Sequence, residues 1–353
     1  MRLKTVFRIV NETRYVKKVL RRYRDSLARG KYYQHNSFRA LSLDAPDTLV
    51  RARIYFDVKK PNVRMANVAK RLNKCGFYRN KNKSSTEEYE AFYISNNYDK
   101  LREVKLFSFK AKKILTICTA PTVMETQLAQ YERFGKIYPM PRVMRGGKYA
   151  NSFEIAMIDR QPVESDAAAL AHIAAATVAY NPSTKDLARI TVADLGATVY
   201  EDADINACMQ QITAMISADA ETWQIPVCVQ HGDLSKDNLL YGTCEGKTDF
   251  WWIDWEHARE RFFFYDFFFY ILNSAFCGDM RVYECYMRGE VDEVLAAYFA
   301  HFGISFECNR KYDYLLVFAL PFLAERVCVK GRLPALKKYL ELLLKMGQDV
   351  RGV

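Results

Sequence analysis

No stretch of this chain reaches the roughly 18 to 20 consecutive apolar residues that a membrane-spanning helix requires. The nearest run, Phe262 to Phe276, is interrupted by Asp266 and Asn273 and reads as a buried helix. The nine cysteines are scattered, with no CxxC pair and no regular His/Cys ligand spacing, so a zinc module or a fully paired secreted framework is not indicated. Thiols in a reducing cytosol fit that pattern. Paired histidine ligands of a metal hydrolase are missing, as are internal repeats and low-complexity linkers. The N-terminal segment is charged and lacks the apolar core and small-residue cleavage site of a secretory signal. A cytoplasmic location is therefore expected.

Acidic residues are scarce in the first part of the chain. Residues 1 to 85 hold 23 Lys or Arg against 5 Asp or Glu, net +18, whereas the rest of the chain is net −7. Between Tyr15 and Leu27, apolar Val16, Val19, Leu20 and Tyr23 recur at helical spacing with cations between them, and a second basic helix is expected over Asn62 to Lys74. Such cations form either the solvated faces of packed helices or a surface attracted to anionic lipid at the inner membrane face, worth on the order of 1 kcal/mol per basic residue. Nucleic acid is the weaker partner, since no recognised binding module accompanies the interleaved tyrosines.

The order along the chain is a basic helical extension (1–35), a β-rich segment (36–160) and a helical segment (161–353). Strands are expected at Thr48 to Val58, Glu90 to Ile94, Val104 to Phe109 and Ile114 to Cys118. A helix is expected over Thr122 to Phe134, and a hairpin through Arg145-Gly-Gly-Lys148 leads into Phe153 to Ile158. Helical patterns then dominate at 166–180, 203–218, 290–302 and 311–347. The aromatic residues from Phe262 to Tyr270 read as core rather than as a sugar-stacking platform.

The run His231 to Asn238, HGDLSKDN, carries the chemistry, together with Asp254 in FWWIDWE. Moving a γ-phosphoryl group to a hydroxyl needs one carboxylate near the acceptor proton and cations on the phosphates, with little covalent help from protein. Asp233, followed by Asn238, lets a short loop present an anionic carboxylate and a neutral amide oxygen. Asp254 would add a second metal ligand from the next β-turn, and magnesium suits such hard oxygen donors. Leu239 to Tyr241 and Asp249 to Ile253 read as two strands of one hairpin, which would bring Asn238 and Asp254 to one cleft. Each of these residues alone is more often a local hydrogen bonder in a turn. Together they point to phosphoryl transfer.

Through HGDLSKDNLLYG, IDWEHA and Tyr265-Asp266, the chain resembles the aminoglycoside phosphotransferase and choline kinase superfamily, distant relatives of the protein kinases. The resemblance implies an α+β, two-lobed, protein-kinase-like fold with a β-rich first lobe and a mostly helical second lobe. It implies Asp233 as catalytic base, Asn238 and Asp254 as metal ligands, and His231 and Asp266 as scaffold of the catalytic loop. ATP and Mg2+ are the implied cofactors, with a hydroxyl of a small molecule or saccharide as acceptor. An anionic cell-envelope sugar or lipid-linked precursor would suit the basic N-terminal region. Backbone groups around Ile158 to Arg160 would face the adenine.

The chain departs from the family in the first lobe. It has no GxGxxG loop, and the phosphate lysine is ambiguous. If Ile114 to Cys118 is the third strand, Thr116 or Cys118 holds the lysine position; if Arg102 to Phe109 is, Lys105 fits. Lys105 is preferred, with Lys113 as alternative and Glu125 as ion-pair partner. Lys236 is a further cation near the phosphates, or a solvent-facing loop lysine. Glu256 is a supporting residue or a surface one, and His257 a polar loop residue. A catalytically silent nucleotide-binding module is the alternative; a protein kinase is disfavoured by the lack of HRD, DFG and APE-type segments.

Overall fold

The computed structural model describes residues 3–36, 40–43, 78–86, 88–97, 100–144, 151–196, 200–328 and 331–351. The expected strand at Thr48 to Val58, the expected helix at Asn62 to Lys74 and the turn at 145–148 lie outside the described residues. The chain divides into two compact units, Met1–Pro162 with Leu240–Trp251, and Val163–Leu239 with Trp252–Val353. Leu240–Trp251 thus groups with the sheet unit, not with the helical segment in which the sequence places it.

The first unit is built on an eight-stranded sheet. Its centre is a run of antiparallel strands: β4 (Ala91–Asn97), β5 (Lys100–Ser108), β6 (Lys113–Cys118) and β8 (Ser152–Ala156). Side chains alternate across a strand, so register decides which helix each residue meets. Val104 and Leu106 of β5, with Leu115 and Ile117 of β6, meet Val16, Val19 and Leu20 of the basic helix α1 (Leu3–Arg22). The apolar stripe of α1 is therefore core, worth about 1.5–3 kcal/mol for each fully buried Val or Leu. On the opposite face Cys118, Phe153 and Ile155 pack against Val123, Leu128 and Tyr131 of α2 (Pro121–Phe134), whose first turn carries Pro121. Proline is tolerated there because that N–H has no helical partner.

The hairpin β12 (Leu239–Cys244) to β13 (Lys247–Trp252) turns through Glu245 and Gly246, both at positive φ, as a two-residue type I′ turn demands. β12 also pairs with the short strand β9 (Asp159–Arg160), and Gly242 has no room for a side chain: a Cβ there would lie 2.3 Å from the Asp159 carbonyl oxygen.

The second unit is mostly helical. α3 (Asp166–Tyr180) starts at Ser165, whose hydroxyl accepts from the Ala168 N–H. A second small sheet pairs β11 (Gln224–Gln230) with β10 (Arg189–Thr191) and β14 (Arg259–Phe262). Helix α6 (Tyr265–Phe276) follows and is buried almost all round, which accounts for its aromatic run. Among the described residues no helix is long and apolar enough to cross a membrane, and no disulfide forms. Two expected helices are shorter than their patterns. The 203–218 pattern ends as helix α5 at Thr213 (Ala203–Thr213), and the 311–347 pattern is broken into α9 (Lys311–Arg326) and α10 (Leu333–Arg351). The break follows from Gly331 at φ 58 and from Pro334, which starts a helix more readily than it continues one.

Candidate active site

β11 delivers the chain into the loop His231–Asn238, and β14 runs antiparallel beside it with Gln230 opposite Arg259. The loop is tied down from beneath. Asp266, in the first turn of α6, accepts from the His231 N–H at 2.6 Å and the Gly232 N–H at 2.8 Å, one on each carboxylate oxygen. Its carboxyl is pushed up to about 7 by burial, against those two donors. His231 is fully buried. Its Nε2 lies 2.8 Å from the Ile253 carbonyl oxygen, and its Nδ1 accepts from the Asp233 N–H at 3.3 Å. That pairing requires a neutral ring with the proton on Nε2. Burial likewise pulls its pKa down to about 3, so His231 spans two loops as a neutral strut.

Gly232 is dictated by space. Its φ is +79, and a Cβ would meet the His257 carbonyl oxygen at 2.5 Å and Arg261 Nε at 2.9 Å. With the loop so held, Asp233 sits with its side chain 31% exposed. Asn238 donates from Nδ2 to the Asp233 carbonyl at 2.7 Å, and its Nδ2 lies 3.4 Å from Asp233 Oδ2. This fixes the amide and leaves Oδ1 as its acceptor atom. The Asn238 carbonyl in turn accepts from the Ile253 N–H at 3.0 Å, which brings Asp254 beside it. Asp254 is itself in the left-handed region, φ 66 and ψ 58. A non-glycine residue there costs about 1–3 kcal/mol, and such positions cluster where chemistry fixes a side-chain direction. Asp233 and Asn238 are thus bonded to each other, and Asp254, in the same unit, follows the residue bonded to Asn238 and adds to the upward influence on the Asp233 carboxyl. A carboxylate and an amide oxygen are the donor types magnesium accepts.

Four residues that no sequence motif marks, Arg326, Glu325, Arg261 and Arg259, complete the surroundings. Arg326, at the end of α9, donates from Nη2 to the Gly232 carbonyl at 2.6 Å and lies 3.3 Å from Asp233 Oδ1. Glu325 binds Arg261 and Arg259 and lies 3.9 Å from Arg326. Burial raises the Asp233 carboxyl, and Arg326 is the strongest influence opposing it. Burial and the same arginine lower His257, which faces Glu256 at 3.3 Å. No local motif marks Arg326. Only the return of α9 to the loop brings it there.

The other predicted site residues have partners of their own. Lys236, considered for the phosphates, places its ammonium 2.8 Å from Asp166 and 3.1 Å from Asp279, which makes it a tether between helix α3 and the loop after α6. Lys105 is paired at 2.9 Å with Glu103, not with Glu125, which is exposed on α2. The helix contributes Gln127 instead, one helical half-turn further on. Lys113 lies on the other face of the sheet from Lys105, bound by Glu88 and by Glu154 at 3.1 Å. Ile158 is buried, and the Asp159–Arg160 backbone pairs with Gly242 and Thr243.

No protein-family description and no curated protein matches this chain. Solved structures do. A choline/ethanolamine kinase family protein from Mesorhizobium loti is 14% identical over 74% of this chain and 95% of its own, with a TM-score of 0.38. Aminoglycoside phosphotransferase APH(4)-Ia, solved with AMP-PNP and hygromycin B, is 15% identical over 74% and 93%, TM-score 0.43. Choline kinase LicA from Streptococcus pneumoniae is 11% identical over 79% and 99%, TM-score 0.41.

Proposed function

We propose that this protein is an ATP- and Mg2+-dependent phosphotransferase that moves the γ-phosphoryl group to a hydroxyl of a small molecule or saccharide. The observation that carries this is the hydrogen bond of Asn238 to Asp233 on a loop held by the buried pair His231 and Asp266, with the Asn238 carbonyl bonded to the residue before Asp254. In this reading Asp233 orients the acceptor hydroxyl and takes its proton. Desolvation makes it a better base, while Arg326 opposes that rise and favours the ionised form. Asn238 Oδ1 and Asp254 would hold the metal, which when bound neutralises charge on the phosphate oxygens. Lys105 is the proposed phosphate lysine, because it shares a sheet face with α2 whereas Lys113 is enclosed by two carboxylates on the other face.

The acceptor we infer is anionic, a sugar or lipid-linked precursor met at an acidic inner membrane face. Two charge features support it. Arg326 stands beside the proposed base, and Arg29, Arg79 and Lys81 line a cleft of about 320 Å³ in the first unit. The apolar side of α1 is taken up by the sheet, so contact with such a surface would be electrostatic. Sedimentation with anionic vesicles should then be lost at high salt, and salt-independent or absent binding would refute the membrane part alone.

The function itself is tested by incubating the protein with radiolabelled ATP, magnesium and a pooled small-molecule extract. Wild type should label a small product and Asp233→Ala should not. Equal labelling by both would remove Asp233 from its role, and labelling by neither would leave the protein a nucleotide-binding module at most.

A further inference from the structure

The first unit contains a buried carboxylate that the proposed chemistry does not use. Glu103 on β5 is 4% exposed, a costly position for a charge unless it is paired and hydrogen-bonded. Both conditions are met. Lys105, two residues on and so on the same face, places Nζ 2.9 Å from Glu103 Oε1. Gln127 on α2 donates from Nε2 to Glu103 Oε2 at 2.7 Å. The Cys118 thiol, directly across from Glu103, lies 3.8 Å from Gln127 Oε1 and fixes which way the amide points. Burial alone would favour a protonated acid, but Lys105 and Gln127 hold the carboxyl below its usual value.

Register decides what this chain of contacts is aimed at. Lys105 stands opposite Thr116 on β6 and opposite Tyr93 on β4, on the sheet face that α2 covers. β6 leads directly into α2, yet carries no cation on this face: Ile114, Thr116 and Cys118 occupy it. The cation comes from the neighbouring strand, and its side chain is 30% exposed while its carboxylate partner is enclosed. A lysine held by a buried carboxylate while its own side chain is partly exposed is a preoriented cation for an anionic ligand.

We infer that Glu103 and Gln127 are positioning residues for Lys105 in nucleotide phosphate binding, so that α2 controls the lysine through a neutral amide and not through an ion pair of its own. This rests on the phosphotransferase reading. Among the described residues the helix is coupled to the cation by the hydrogen bond from Gln127, with the strand carboxylate as intermediary. Exchange of Glu125, the exposed acid of the same helix, leaves that coupling intact.

The test is a cycle of Glu103→Gln, Lys105→Gln and the double variant, with Gln127→Leu and Asp254→Ala alongside. Binding of Mg-ATP is measured by fluorescent-analogue displacement, binding of adenosine by ligand-observed NMR, and KM for ATP separately from kcat. Glu103→Gln and Gln127→Leu should each weaken Mg-ATP about tenfold and raise KM more than they lower kcat, with no change in adenosine binding. In the Lys105→Gln background, Glu103→Gln should add nothing. Equal losses for adenosine and ATP, or full additivity in the double variant, would reduce both residues to structural ones and overturn the inference. Should Glu103→Gln fail to fold, Gln127→Leu decides on the same readouts. If wild type binds no Mg-ATP, the phosphotransferase reading falls first. If Asp254→Ala abolishes magnesium dependence while Lys105→Gln binds as wild type does, only the inference falls.

Discussion

At the scale of single residues, Arg326 is the clearest case of a group whose meaning depends on its neighbour. Its guanidinium lies 3.3 Å from Asp233 and opposes the upward effect of burial on that carboxyl. Replacing it with Gln removes the opposing charge, so the Asp233 carboxyl rises further, and a base that must be ionised is lost at a higher pH. The acid limb of the kcat/KM profile of Arg326→Gln should therefore move to higher pH, with a lower plateau; an unmoved limb would mean that the arginine only braces the Gly232 carbonyl. The closeness of Asp233 to Asn238 was legible in the sequence because both sit in one short motif with fixed spacing. Arg326 and Glu325 were not, because they belong to the end of an ordinary amphipathic helix. Lys105 was only half legible: alternation along a strand indicates that two lysines face opposite sides, but not which side meets which helix.

At the scale of elements, the loop His231–Asn238 is organised by two buried titratable groups with opposite linkage. His231 has a folded value, about 3, below its ordinary one, so the unfolded chain takes the proton first and stability falls as pH drops below 6.5. The slope is on the order of 1.4 kcal/mol per pH unit. Asp266 is raised to about 7, so the folded chain takes its proton first. Its contribution is present below the ordinary carboxyl value and is lost as pH rises through 7. Between about pH 6.5 and 4 the two trends offset each other. Asp266→Asn removes one of them, and its melting temperature should fall more steeply with acid over that window than that of wild type. Parallel slopes in thermal denaturation at a series of pH values would show that the two groups do not act as this loop geometry requires.

At the scale of the whole molecule, the basic N-terminal segment serves first as structure. Leu20 is fully buried among Phe92, Val104 and Leu106, so α1 completes a core and is more than a charged appendage. Leu20→Ala should cost about 2–5 kcal/mol, read as a lower urea midpoint at unchanged m-value. A change below about 0.5 kcal/mol would mean that α1 docks loosely. The uneven charge visible in the composition then has two sources: cations facing away from that buried stripe, and the more acidic remainder of the chain.

Motif spacing and strand alternation are local properties, and they sufficed for the pairing of Asp233 with Asn238, the hairpin between Asn238 and Asp254 and the helices flanking the sheet. They act over distances at which neighbouring residues constrain each other directly. The pairing of Lys105 with Glu103, the retirement of Lys236 into a tether, the gathering of Leu240–Trp251 into the sheet unit and the arrival of Arg326 beside Asp233 came only from the tertiary structure. Long side chains choose partners by proximity after the backbone has folded, and no pattern in the one-dimensional chain encodes which carboxylate an ammonium or guanidinium will find.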